Sequence, residues 1–589
     1  MAANAQLDSA GSPWAEPLRL PAAVLTLLLV FPFAAHAQEP CPNRAELQRL
    51  ANQSQWARIL QATRRCPAMS ADVDYYRGLA FAGLSHWDAA NAAFASGQKN
   101  YPHDKRFPEE LAGVAFKQKR FAVAKRHLHR ALRLDPRDTY AIDFLATLYF
   151  LDGNMQAALK YWNRIGKPRI NQIRTSPQLR VDPALLDRAF TCSPASLLTL
   201  EQYRTTLERL RQLGIFSAYR LDLVPASGGA PGTLDLTLSA VERNGLGPNK
   251  VEAFVSLLRG TPYETVYPEV YNLGRSAINV DSLFRWDDQE RRAFVSLSGP
   301  VARNPQFRFR LYADGRNENW NISRILHQAA VPVQAFNLEK IDVGGGIKSV
   351  VNSRWSWAAG MDVSDRRFRN LPAGASAGDP VFTNGVAAEV RGRSDYSLLR
   401  MPEKRFNVSS GVEGTFGNFY ATGFGRFGAV QGLLGAHWFP QAQGDDYEVA
   451  EQVHAGKTFG RVPFDDLFML GLERDNNLPL RAHIGTRDGQ KGNAPLGRDY
   501  LLSNWEIDKN VYANAWFRLR VAPFVDTGRI YDRSDGFGSR QWLWDTGASA
   551  KLGVLGGVGL VFTYGKDLRT GRNTFYFTTT REGGSSFLP

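Results

Sequence analysis

From about residue 248 to the C-terminus, some 340 residues run strand-rich, glycine-rich and aromatic, with turns every ten or so positions and no clear helical interruption. In Phe307-Arg308-Phe309-Arg310-Leu311-Tyr312, apolar and charged residues alternate, and Phe517-Arg518-Leu519-Arg520-Val521 repeats the pattern. Val558 to Tyr564 alternates less strictly, with small or polar partners. A period of two places one residue set on each face of a sheet. A soluble sandwich or propeller would alternate too, so the compartment has to decide.

Leu18-Arg19-Leu20 precedes the apolar run Pro21 to Phe31, and Ala35-His36-Ala37 offers a small-x-small cleavage site before Gln38. The run is short for a bilayer span, and its leader is long and weakly basic, with Asp8 and Glu16. Residues 1–37 therefore read as a secretory signal. No further run of about 18 apolar residues follows, so a membrane location would require a closed barrel. With export, and with aromatics near strand ends, residues 246–589 are expected to form an antiparallel transmembrane β-barrel. Roughly 20 residues per strand plus turn gives about 16 strands. The formal charge of +14 is spread along the chain without a dense Lys/Arg run or a recognition motif. That suits a polar lumen or anionic lipid and excludes nucleic acid as a partner. Cys41 and Cys66 flank a predicted helical hairpin, and export permits either a disulfide or two buried thiols. Cys192 would then be unpaired.

Residues 38–168 are helical and repetitive. Small residues recur at Gly78, Ala112 and Ala146, a step of 34, and Pro102 to Pro136 repeats it. Tyr75 and Tyr149 fill gaps beside them. Small residues let helices approach closely, so these five positions are expected to pack the repeat groove. The pattern resembles the tetratricopeptide repeat, whose stacked helix pairs present a concave face that holds a partner protein or acts as a spacer. His127 and His129, two apart on a helix, face different ways and are expected to be solvated rather than metal-ligating.

Residues 169–245 read strand, helix, helix, strand, strand. Leu207, Leu210 and Leu213 form a buried stripe, and Gly214 is expected to cap the second helix in a left-handed conformation. The order resembles one polypeptide-transport-associated (POTRA) domain.

Within the barrel tract, Leu470-Gly471 leads into Leu480-Arg481-Ala482-His483, and 45 residues beyond Arg481 comes Asp526, in Phe524-Val525-Asp526-Thr527-Gly528. Two charges in strand-like surroundings are costly in lipid unless they face a watery lumen and find each other. Otherwise they are unrelated loop charges in water, worth little. With the closing strand Thr574-Phe575-Tyr576-Phe577-Thr578, the C-terminal third resembles the outer-membrane assembly barrels typified by BamA and TamA, the bacterial surface antigen family. The resemblance covers roughly residues 170–582. It implies a loop folded back into the lumen, its Arg481 paired with Asp526 in the setting that ends at Gly528. It also implies a weak seam between first and last strands, where substrate strands could pair by β-augmentation. Three departures stand out. Ala482 and His483 replace the family's glycine and aromatic, and residues 582–589 continue past the closing strand. If the family glycine has a positive φ, Ala482 would be strained there.

No Gly-x-Ser-x-Gly elbow, zinc motif or phosphate loop is present, so neither enzymatic activity nor a cofactor or metal is expected. Asp465-Asp466 reads as a turn, adjacent strand residues pointing to opposite faces. The expected protein sits in the bacterial outer membrane, its N-terminal domains in the periplasm. It would assist insertion or translocation of unfolded or secreted polypeptide clients, contacting outer-membrane lipid and possible periplasmic partner proteins. A passive solute channel and a structural anchor are the alternatives.

Overall fold

The computed structural model describes residues 41–66, 70–226, 233–326, 329–371, 380–382, 384–420, 425–514, 516–532, 539–554 and 558–581. The expected signal segment and the extension past the closing strand lie outside these residues. The chain divides into two compact units, up to Tyr101 and from Pro102 onward.

The first unit holds helices α1 (Arg44–Asn52), α2 (Trp56–Thr63), α3 (Ala71–Gly83) and α4 (Trp87–Asn100). Asn43 caps α1 by accepting from the Glu46 N–H. Cys41 and Cys66 are joined in a disulfide, with Cα atoms 5.7 Å apart. Gly78 lies against the Phe94 ring, where any Cβ would collide. That is why a small residue is needed there.

The second unit opens with α5 (Arg106–Lys117), α6 (Phe121–Leu134), α7 (Thr139–Leu151) and α8 (Met155–Trp162), packed in consecutive pairs. Ala112 and Ala146 are fully buried between them, and Tyr149 stacks on Tyr161 at 5.7 Å. His127 and His129 are half-buried rather than solvated, and His129 Nε2 lies 3.0 Å from the Tyr149 hydroxyl.

There follow β1 (Arg169–Ser176), α9 (Pro183–Ala189), α10 (Leu200–Leu213), β2 (Phe216–Pro225) and β3 (Thr233–Glu242). The sheet order is β1–β3–β2, the first pair parallel and the second antiparallel. Thr199 and Gln202 form a capping box at the start of α10, and Gly214 ends it at φ +69°. One hydrophobic cluster runs continuously from Ala112 in α5 through this module. Helices α5–α8 and the α/β module therefore share a core.

The last region contradicts one expectation. It begins with a helix, α11 (Lys250–Leu258), capped by Asn249, so the tract is not free of helical interruption. The Ser256 hydroxyl and the Arg259 guanidinium both bond Glu269, each at 2.9 Å, which holds the helix against the barrel's first strand. The wall then runs β4 (Thr265–Val266), β5 (Glu269–Leu273), β6 (Ile278–Trp286), β7 (Glu290–Val301), β8 (Asn304–Leu326), β9 (Ala329–Val350) and β10 (Trp355–Arg369). It continues as β11 (Gly385–Met401), β12 (Phe406–Phe419), β13 (Gly425–Trp438) and β14 (Tyr447–Gly460). Between β14 and β19 (Asp499–Ala513) lies a long loop. It carries the two-residue strands β15 (Phe468–Met469), β16 (Thr486–Arg487), β17 (Gln490–Lys491) and β18 (Leu496–Gly497). The wall ends with β20 (Phe517–Tyr531), β21 (Ser539–Val554), β22 (Val558–Asp567) and β23 (Asn573–Arg581).

Eighteen segments join the barrel sheet; β4 and β5 are two pieces paired to one strand and the loop hairpin β16–β17 hydrogen-bonds into it, which leaves fifteen wall strands among the described residues rather than the sixteen expected. Sequential strands pair antiparallel. The strand order returns β23 to β4. Among the described residues no register is defined there, whereas β22 and β23 pair over nine positions. At that meeting the Tyr263 hydroxyl donates to the Phe577 carbonyl at 2.6 Å, and the rings lie 5.7 Å apart.

The period of two sorts the wall into two faces. On β10, Met361 and Val363 are 67% and 51% exposed on the outside, while Asp362, Ser364 and Arg366 are buried inside. On β20, Val521 and Val525 face out, and Phe524, Asp526 and Gly528 face in. An apolar exterior around a charged interior fits a barrel in lipid.

Candidate functional site: the lumen loop and its anchors

The loop between β14 and β19 enters the barrel and bonds the inner wall at four places. At its start, a one-turn 3-10 segment, Phe464–Asp466, presents both aspartates to the same guanidinium. Arg366 on β10 donates from Nε to Asp465 at 2.9 Å and from Nη2 to Asp466 at 3.0 Å and to Glu389 on β11 at 2.8 Å. Lys340 on β9 adds a bridge to Asp465 at 2.8 Å. The 3-10 turn rotates the two carboxylates to one side, so the opposite-face rule for strands does not apply. Phe464 packs edge-on to Trp320 and Phe336, anchoring the turn in an aromatic cluster.

Asp475 is the second anchor. It bridges Arg285 on β6 at 3.1 Å and Arg292 on β7 at 2.7 Å. Lys491, also in the loop, bridges Glu290 at 3.2 Å and Glu318 on β8 at 2.9 Å.

At the third, Arg481 meets Asp526 on β20. Its Nε and Nη2 donate to the two carboxylate oxygens at 2.9 and 2.7 Å, and its backbone N–H adds a bond at 3.0 Å. The guanidinium carbon lies 3.8 Å from the centre of the Phe524 ring, and Glu506 on β19 takes Nη1. Asn504 completes the group, donating to Asp526 at 2.8 Å and to the Pro479 carbonyl at 2.7 Å. Gly528 leaves room for Leu470, which would lie 3.1 Å from an added Cβ. A bidentate, charge-assisted pair in a low-dielectric lumen is strong because its geometry is fixed.

At the fourth, the tip touches β21, β22 and β23. Ala482 N–H donates to Asp545 at 2.6 Å, His483 Nδ1 lies 3.0 Å from the same oxygen, and Thr574 donates to the Ala482 carbonyl at 2.9 Å. The tip runs so close to β22 that a Cβ at Gly565 would strike the Arg481 carbonyl. Ala482 is outside the left-handed region, so the backbone needs no glycine there and the expected strain is absent. In this chain it is the wall that supplies the glycine.

Of the closing-strand residues, Phe575 is exposed outside beside Tyr564 at 5.0 Å, and Phe577 packs on Phe562 at 4.6 Å. Tyr576, the residue between them, pairs with Thr563. The repeat positions lie elsewhere. Tyr149, Ala112 and Ala146 sit in the second unit's helices, whose second pair, α7 and α8, meets the barrel turn after β11. There Asn154 donates to the Pro402 carbonyl at 2.8 Å and Tyr161 to Glu403 at 3.2 Å. Tyr75 and Gly78 belong to the first unit.

Sequence reasoning missed Arg366, Glu389, Lys491, Asp545 and Asp567. Each is a buried charge in the lumen, at an inward strand position or in the loop, and in sequence only the alternation of the strand could mark it. That signal was available strand by strand, but only with registers in hand.

The fold and the loop together define a β-barrel whose lumen is occupied by its own chain, with an α/β module and helical repeats on the N-terminal side in sequence. No protein-family model and no curated protein matches the sequence. Among solved structures the chain is similar to BamA from Haemophilus ducreyi lacking POTRA domains 1-3, at 13% identity over 70% of this chain and 84% of that one, with a TM-score of 0.41. It is similar to CdiB from Escherichia coli at 13% identity over 70% and 76%, TM-score 0.48. It is also similar to CdiB from Acinetobacter baumannii at 11% identity over 70% and 73%, TM-score 0.40.

Proposed function

We propose that this protein is an outer-membrane β-barrel that assists insertion or translocation of other polypeptides, with its repeats and α/β module in the periplasm. The observation that carries the reading is the meeting of β23 with β4. The Tyr263 hydroxyl bridges it to the Phe577 carbonyl, while β22 and β23 pair over nine positions. A boundary with few backbone bonds is the cheapest place to part a barrel, and parted strands expose edges on which a client strand can pair. The lumen loop serves this role by bracing the wall from inside. Its four anchors hold β6–β11 and β19–β23, so the seam can move without the barrel collapsing.

A passive solute channel is disfavoured by the same loop, which places buried ion pairs across the lumen. A purely structural anchor gains some support from the α7–α8 pair, whose contact with Pro402 and Glu403 makes it a brace for the barrel. The first unit would then be the part that recruits clients or a periplasmic partner. Depletion of the protein followed by quantitative proteomics of the outer membrane and the culture medium tests the reading. Loss of a defined set of barrel proteins or secreted clients is expected, and an unchanged profile would refute it.

A further inference from the structure

Helix α10 ends against one mouth of the barrel. The Leu213 carbonyl accepts from Asn279 on β6 at 3.1 Å, and Gln212 donates to the Gln306 and Lys348 carbonyls, each at 3.3 Å. Arg308 on β8 donates to the Gln212 carbonyl, so its charge meets the negative end of the helix dipole. Beside this junction lie two clefts of about 650 and 400 Å³. Glu208 and Arg211 of α10 and Arg400 of β11 line both, so the clefts adjoin.

The clefts hold arginines that the protein does not neutralise. Arg204 on α10 is 8% exposed, and its side chain makes one bond, from Nε to Gln156 on α8 at 2.8 Å. Arg400 donates from Nε to the Ser397 hydroxyl at 2.6 Å. Arg354 stands exposed in the turn between β9 and β10. Among the described residues no carboxylate lies within ion-pair distance of these three, because the acids nearby are taken. Glu208 pairs with Arg211, Asp395 with Arg393, and Glu403 with Lys160. Burial first, then repulsion from Arg400 and Arg354, pulls the Arg204 guanidinium down to about 10, which leaves it charged at neutral pH. Deeper in the lumen, by contrast, Arg285, Arg292, Arg366 and Lys491 each sit on carboxylates. Gathering like charges in a cleft without partners costs stability, and a ligand of opposite sign would offset that cost.

We infer that this junction binds an acidic segment of a polypeptide, its carboxylates seated on Arg204, Arg354 and Arg400. A guanidinium presents a planar fork of donors that matches a carboxylate. Three separate forks along two adjoining clefts suit a chain that carries repeated carboxylates, whereas one small anion would occupy a single corner. A bilayer lipid fits poorly. Lys348, which lines the smaller cleft, shares the inward face of β9 with the buried Asp342, so the wall stands between the cleft and the membrane. That the segment belongs to a client rests on the proposed function; the binding itself does not.

The test uses the full chain folded in non-ionic detergent and a short fluorescent peptide of alternating Asp and Gly, read by anisotropy beside an Asn-Gly control. The acidic peptide is expected to bind about tenfold tighter than the control, and to lose about tenfold in the double variant Arg204→Gln with Arg400→Gln. Heat-modifiable migration on gels shows that the variant is folded. Arg354→Gln, in an exposed turn, is expected to weaken binding severalfold and keeps the test valid if the double variant misfolds. Equal binding of the two peptides, or acidic-peptide binding unchanged in folded variants, would overturn the proposal. Displacement by inorganic phosphate or short-chain phosphatidylglycerol as readily as by unlabelled acidic peptide would also overturn it, and would assign the clefts to a small anion or a lipid headgroup. Specific peptide binding together with an unchanged outer-membrane profile on depletion would uphold this site and refute the client role.

Discussion

Arg481 grips Asp526 by three hydrogen bonds of 2.7 to 3.0 Å, two from its guanidinium and one from its own backbone. The carboxylate is fully buried. Removing the guanidinium therefore leaves a charge in the wall with only Asn504 and a backbone N–H for company. Arg481→Ala is expected to cost roughly 3–5 kcal/mol, read as a fall in the urea midpoint of the folded, heat-modifiable form. Reversing both charges is expected to recover less than half of the loss, because Glu506 would then face the new acid at position 481.

Arg366 holds three carboxylates, Glu389, Asp465 and Asp466, and is itself inaccessible to solvent. Arg366→Met is expected to be more damaging than Arg481→Ala, since it strands more buried charge. Limited proteolysis between residues 461 and 498 checks it. The loop should be cut in Arg366→Met and protected in wild type.

The disulfide between Cys41 and Cys66 closes a 25-residue separation in the first unit. A loop of that length contributes about 3–4 kcal/mol in the chain-entropy picture. Reduction is expected to make residues 41–101 protease-sensitive while the barrel stays folded. Cys192 offers a control. Burial pushes its thiol up to about 11, so alkylation at pH 8 should be slow until the chain is unfolded.

In the helical repeats, burial first and the neighbouring Asp138 second push the Glu109 carboxyl up to about 8. Its folded pKa lies above the ordinary value near 4.5, so the folded state binds more protons between about pH 4.5 and 8. Stability is present below that window and is lost as pH rises through it. Glu109→Gln is expected to flatten this dependence, measured by helical melting at pH 5 and pH 8.

The alternation in Phe517–Val521 and the 34-residue step of small residues were readable because each is a local period imposed by packing. The pairing of Arg481 with Asp526 was readable for a different reason: a charge in apolar strands demands a partner. What stayed hidden depends on register and turn geometry. Asp545 and Asp567 are neighbours only across a ladder, and Asp465 and Asp466 converge only because a 3-10 turn replaces a strand. Helix α11 was missed because Lys250 to Leu258 is short and apolar enough to suit either state. Asn249 at its start was the available signal.

We propose that the wall parts where β23 meets β4. Cysteines placed at Tyr263 and Phe577 and joined by a short bis-maleimide would fasten these ends in cells that carry only this variant. Client appearance in the outer membrane or medium is expected to stop on joining and to proceed in the unjoined variant. Equal client appearance from the joined form would contradict the claim.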